Sequence, residues 1–205
     1  MVPIINVPAT IADVPFHSQI QEIESSVWKK QGCGITSLAM IIDFYNSSNG
    51  VSVNKLLGQG IASGAYINNA GWSHAGLISL SRRYGLDGIA YDLSKASSAN
   101  AFTQLKKELK EGPVIVSVYS GFDPKTRLPH LLVLEGIDND TIYYNDPANK
   151  NASQKKISST AFVKGWKKRF IVIRPKEVLA VKTKKISLGI PYSISWIKSH
   201  EGTVA

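Results

Sequence analysis

The apolar residues of this chain change their period once, at Gly112-Pro113, and that change limits the folds open to it. Before it they recur at three- and four-residue steps, as in Ile35, Leu38, Ala39, Ile42 and Tyr45, or Leu77, Leu80 and Tyr84, or Phe102, Leu105 and Leu109. Those steps place side chains on one face of a helix. After it come short β-rich runs, Val114–Tyr119, Leu131–Ile137, Thr141–Asn145 and Phe170–Ile173, separated by turn residues. Helices first and strands second give an α+β layout with two segregated halves. The first strong helix starts after Gly32 and ends at Asn46–Gly50. A second covers Val53–Ser63, weakened by Gly58 and Gly60, and a loop follows over Gly64–Gly71. A third is capped by Ser73 and stopped by Gly85, and a fourth spans Ala99–Lys110. Asp13–Phe16 and Gly88–Tyr91 read as short strands, the polar stretch to Gln31 as a loop, and Ser158–Lys168 as a helix interrupting the later strands. The expected organisation is an extended lead-in over 1–12, one folded domain over 13–175 and a Lys-rich appendage over 176–205.

With 205 residues, 43% of them hydrophobic, the chain can bury a substantial core. It has to, because one cysteine permits no internal disulfide and argues against a cysteine-based metal site. No His-Glu-x-x-His and no phosphate-binding Gly-x-x-x-x-Gly-Lys occurs, so no metal and no cofactor is expected. No apolar run approaches the roughly 18 residues of a membrane span, and no secretory signal is evident, which leaves the cell interior or a mature secreted form. The net charge of +9 is concentrated between Lys164 and Lys185, where nine basic residues accompany one acid, Glu177. That segment is either a solvated face or a contact for an anionic surface. Trp166 and Phe170 are not regularly interleaved with it, and no nucleic acid is expected as a partner.

The single cysteine has unusual surroundings. Cys33 opens the first strong helix, where unpaired backbone N–H groups and the helix dipole favour an anion. A thiolate is the nucleophilic form. Gly32 and Gly34 on either side leave room for an electrophilic carbonyl, and Trp72 is a candidate wall of the same groove. Of the four histidines, His17, His74, His130 and His200, the best placed as a base is His130. It opens the apolar run Leu131–Leu134, at the edge of the core, where a rigid strand holds an imidazole in position. The strands Leu131–Ile137 and Thr141–Asp146 are joined through Asp138-Asn139-Asp140. A three-residue turn there sets Asp146 opposite Leu132 and His130 opposite Ala148, on one face and about 7–8 Å apart diagonally. A two-residue turn without a bulge would put them on opposite faces.

Four segments together resemble the papain-fold cysteine peptidases related to the bacteriocin-processing, double-glycine leader peptidases. They are Val14-Pro15-Phe16-His17-Ser18-Gln19, then Gly32-Cys33-Gly34-Ile35-Thr36-Ser37-Leu38-Ala39-Met40, then His130 to Ile137, and Asn145-Asp146-Pro147, in the family's order between Asp13 and Pro175. The resemblance implies a papain-like fold with a helical lobe, a β-sheet lobe and the active site between them. It implies Cys33 as nucleophile, His130 as base and then acid, Asp146 as the residue that fixes the imidazole, and a peptide or protein substrate. A glutamine upstream of the nucleophile would help to hold the oxyanion, and Gln19 matches that motif better than Gln31. The chain carries no transporter segments. Transfer of the acyl group to another nucleophile, or peptide binding without catalysis, are the other functions such a cleft can serve.

Overall fold

The computed structural model describes residues 11–46, 50–151 and 154–180. The helical half comprises α1 (Gln19–Glu22), α2 (Cys33–Tyr45), α3 (Val53–Ala62) and α4 (His74–Ser81), with a small hairpin of β1 (Tyr66–Ile67) and β2 (Gly71–Trp72). The rest is built from β3 (Leu86–Asp92), α5 (Ser98–Leu109), β4 (Val114–Tyr119), β5 (Pro129–Asp138), β6 (Thr141–Asn145), β7 (Lys155–Ser158), α6 (Ser159–Gly165) and β8 (Trp166–Pro175). The six longer strands form one sheet, all neighbours antiparallel, in the order β3-β8-β4-β5-β6-β7. The α+β layout expected from the period change is therefore present.

The sheet is covered on both faces. One core joins Ile35, Leu38, Ile42, Leu77 and Leu80 of the helices to Ile115, Leu131, Val133, Ile171 and Ile173 of the strands. The other packs Ala101, Leu105 and Leu109 of α5 and Phe162 of α6 against Val114, Val116, Leu132, Leu134 and Phe170. Alternation along each strand feeds the two cores in turn, so β4, β5 and β8 are buried on both sides and read as continuous apolar runs.

Several local expectations need revision. Residues 11–18 have no regular secondary structure, so Asp13–Phe16 is not a strand, although Ala12 donates a backbone hydrogen bond to Glu135 at 3.0 Å. The glycine- and asparagine-rich stretch before Trp72 is the β1–β2 hairpin rather than a plain loop. The helix drawn over Ser158–Lys168 ends at Gly165, and β8 starts at Trp166. Lys168 takes a positive φ of 54° there, and the β4–β8 register shifts between Ser117 and Val118. The lead-in up to residue 10 and the Lys-rich stretch beyond 180 lie outside the described residues.

Candidate active site

The nucleophile candidate is positioned by packing. Cys33 is the first residue of α2, behind Gly32, which caps the helix without a side-chain hydrogen bond. The first N–H groups of α2 are thus not consumed by a capping side chain, and the thiol is partly exposed. A Cβ on Gly32 would stand 2.2 Å from Ile23 Cδ1, and one on Gly34 would stand 2.6 Å from Trp72 Cγ. The two glycines expected to clear a path for substrate are filled from within: their missing side chains make room for Ile23 and for the indole. Trp72 itself is 7% exposed and donates its indole N–H to Gln31 O at 2.6 Å. It is chiefly a core residue, with one edge on a surface cleft.

The base candidate is positioned by strand register. β5 and β6 are joined by a two-residue turn, Asn139-Asp140, so Asp138 pairs with Thr141. That corrects the three-residue turn expected from the sequence. Continued unbroken, the shorter turn would have turned Asp146 away from His130. A bulge between Leu134 and Gly136 takes out the extra residue, Glu135, so that Leu134 pairs with Tyr144 and Val133 with Asn145. The two departures cancel. His130 Nε2 meets Asp146 Oδ1 at 2.7 Å.

Glu135 also holds the bulge in place. Its buried carboxylate accepts from Asn145 Nδ2 at 2.8 Å, Gln154 Nε2 at 2.9 Å and Val14 N at 3.4 Å. Burial pushes its pKa up, against those hydrogen bonds.

The two halves meet at His130. α2 packs on β5, and Ser37, one turn in from Cys33, bonds to Leu131 O at 3.3 Å. The imidazole, with Nε2 committed to Asp146, also lies close enough to the Cys33 sulfur for the two to interact. Burial disfavours its charged form, but the hydrogen bond to Asp146, the neighbouring Cys33 sulfur and the Asp146 charge outweigh that and raise its pKa to about 10. Burial likewise works against the Asp146 carboxylate. The bond and charge of His130, with the Ala148 N–H at 2.9 Å, nevertheless hold its pKa below the ordinary value.

Gln19 stands beside this group. Ser18 caps α1, accepting from Ile20 N and Gln21 N and donating its hydroxyl to Asn149 O at 2.6 Å. Gln19 N donates to Pro147 O at 2.9 Å, next to Asp146. The Gln19 side chain is buried against Gly32, where its Cβ is 3.3 Å from the position a Gly32 Cβ would take. Its Nε2 donates to Lys29 O at 2.8 Å, and Oε1 has no hydrogen-bond partner. The amide is held by one N–H and keeps the other. Gln31 is employed elsewhere, its Oε1 accepting from the Tyr66 hydroxyl.

The other histidines are separate from this group. His17 has both nitrogens committed, Nδ1 to Glu22 at 2.8 Å and Nε2 to Asp43 at 2.9 Å, which ties the α1 segment to α2. His74 lies in the cleft beside Trp72, and His200 is outside the described residues. Among the described residues no cluster of His, Cys, Asp and Glu could hold a metal ion.

Set against known proteins, residues 11–170 match the model of the Peptidase_C39 like family. The chain belongs to that family. It is thus related to the C39 cysteine peptidases, as the four sequence segments indicated. No curated protein matches it. Solved structures with the same fold include a putative C39-like peptidase from Bacillus anthracis, with 22% identity and a TM-score of 0.58, covering 82% of this chain and 99% of that one. A double glycine motif protease from an AMS/PCAT transporter, in complex with its leader peptide, aligns with 23% identity and a TM-score of 0.55 over 80% and 94% of the two chains. The peptidase domain of Streptococcus ComA, a bi-functional ABC transporter of a quorum-sensing pathway, aligns with 20% identity and a TM-score of 0.53 over 72% and 93%. These likenesses support the papain-like, two-lobed fold.

The sequence reading missed the Glu135 bulge and the tie between Gln19 and Pro147. A glutamate inside the apolar run Leu131–Ile137 was the available signal for the first. The second depends on two segments more than a hundred residues apart, and nothing in either announces the other.

Proposed function

We propose that this protein is a cysteine peptidase that hydrolyses a peptide bond through a thioester on Cys33. The supporting observation is the 2.7 Å hydrogen bond from His130 to Asp146 beside the Cys33 sulfur, with an imidazole held protonated across the neutral range. In the reactive form the thiol proton of Cys33 has passed to the His130 ring. The Cys33 sulfur attacks the scissile carbonyl, and the electron pair of the C=O bond moves onto its oxygen. The spare N–H of Gln19 and the N–H of Cys33 then stabilise that oxyanion. Collapse of the tetrahedral adduct breaks the C–N bond as the His130 imidazolium gives its proton to the departing amine. The neutral imidazole then takes a proton from water, whose oxygen attacks the thioester. The acid is released and the thiolate–imidazolium pair returns. Asp146 acts through His130 as a positioning residue.

The catalytic unit would be residues 13–175, since β8 carries the fold five residues past the family match. The partner is a peptide or protein substrate. Arg174 takes no part in an anionic contact: it is buried, donating to carbonyls of Pro113, Ile173, Glu108 and Gly112. The basic face is therefore smaller than the sequence implies. The test is to incubate the protein with a defined peptide mixture, quench in acid and read the intact mass. An acyl adduct mapping to Cys33, with matching amine fragments in solution, is expected. Fragments formed equally by Cys33→Ala would overturn the proposal.

A further inference from the structure

Beside Trp72 is a cleft of about 330 Å³ that the chemistry above does not use. Its walls include Gly71 and Trp72 of β2, His74 at the head of α4, Ala90 and Asp92 of β3, and Arg169 of β8. Trp72 connects it to the site, since the same indole packs on Gly34, the neighbour of Cys33. Strand pairing connects it from the other side. Arg169 pairs with Ser117, which pairs with Leu131, the neighbour of His130. Two strand spacings, about 10 Å, separate the backbones of Arg169 and Leu131, the span of about three extended substrate residues.

The cleft is arranged for an anion. Arg169 donates from Nε to Asp92 Oδ2 at 3.0 Å, and among the described residues nothing occupies its two terminal nitrogens. Asp92 orients the guanidinium rather than filling it. Its other oxygen accepts from Ser94 N at 3.0 Å, and the Ser94 hydrogen bonds together with Arg169 hold its pKa at about 2. The His74 ring has no hydrogen-bond partner among the described residues, and burial, then the charges of Arg169 and Lys167, lower its pKa against the opposing charge of Asp92. A neutral imidazole N–H and a free guanidinium edge suit a carboxylate. Lys167, over the Tyr119 ring at 5.4 Å, leaves the region net positive.

We propose that this cleft is a substrate subsite for a carboxylate, a side chain or terminus of an acidic peptide, bound by the terminal nitrogens of Arg169 and the ring of His74. The proposal rests on the peptidase reading and names its substrate class.

The native chain is alkylated at its only cysteine with 6-maleimidohexanoic acid and, separately, with the corresponding amide, and the ratio of the two rates is compared with that of free cysteine. A ratio raised about 10-fold is expected. It should fall to that of free cysteine in Arg169→Gln, recover in part in Arg169→Lys, and stay high in Arg82→Gln, which removes an exposed charge elsewhere. Circular dichroism checks each fold. A wild-type ratio equal to that of free cysteine, or one unchanged by Arg169→Gln, overturns the subsite. A peptide-library digest separates the two claims. Cleavage with Asp or Glu enriched within about three residues of the scissile bond supports both. Cleavage without that enrichment overturns the subsite alone. Charge-selective alkylation with no cleavage of any peptide overturns the peptidase reading and keeps the anion-binding cleft.

Discussion

The two halves of the candidate site are held by different forces. On the helical side, Cys33 is located by close packing: Ile23 on Gly32, Trp72 on Gly34 and on Gly60. On the sheet side, His130 and Asp146 are located by strand register, by one bulge and by a hydrogen bond of 2.7 Å. Packing fixes a backbone and is indifferent to charge. A charge-assisted hydrogen bond tolerates small changes of volume and depends on ionisation. The nucleophile's half should therefore fail when volume is added, and the base's half when charge is removed.

The largest effect belongs to the atom both halves serve. Cys33→Ala should lower peptidase turnover by roughly 10⁴-fold or more, with the circular dichroism spectrum unchanged. Next is Asp146→Asn, nearly isosteric, which should reduce turnover by about 10²-fold or more. It should also move the pH profile. His130 has a raised pKa, so its imidazolium persists until about pH 10, and the alkaline limb of activity belongs there. Without the Asp146 charge that limb should shift toward neutral pH. For stability the sign is the same: the contribution of the paired imidazolium is fully present below its ordinary 6.5 and is lost as pH rises through about 10. Thermal melts of the wild type and Asp146→Asn should therefore converge at high pH. Gln19→Ala follows, lowering kcat by about 10²-fold with a smaller change in KM, because one oxyanion donor goes while the N–H of Cys33 remains.

The smallest effects concern the scaffold. Gly34→Ala places a methyl against the Trp72 ring and should cost about 1–3 kcal/mol in urea unfolding, while leaving the alkaline limb where it was. Glu135→Gln exchanges an acceptor for a donor opposite Asn145, Gln154 and Val14. It should cost about 1–3 kcal/mol and loosen the bulge that carries Asp146 to His130. If Gly34→Ala moved the pH profile, or Glu135→Gln left both stability and activity intact, the contrast between the halves would be broken.

The helical half was the more legible in the sequence, for a physical reason. Helix periodicity and caps are local, and Cys33 at the head of α2, Ser73 as a cap and Gly85 at φ 76° as a stop can each be read from a few residues. Strand partners are not local. The face shared by His130 and Asp146 was anticipated, but through a turn one residue too long, and the Glu135 bulge supplied the missing step. The expected clearance at Gly32 and Gly34 misread small residues as open space, because the side chains that fill it, Ile23 and Trp72, come from other segments. The Gln19–Pro147 tie was invisible for the same reason.

The most direct measurement is the protonation state of the His130 ring, followed by ¹⁵N NMR from pH 5 to pH 11 in the wild type. An imidazolium that persists through pH 8 and titrates near 10, and reverts toward the ordinary range in Asp146→Asn, is the expected result. A ring already neutral at pH 8, titrating near 6.5 as in a free histidine, would mean that thiol, imidazole and carboxylate do not act as one unit.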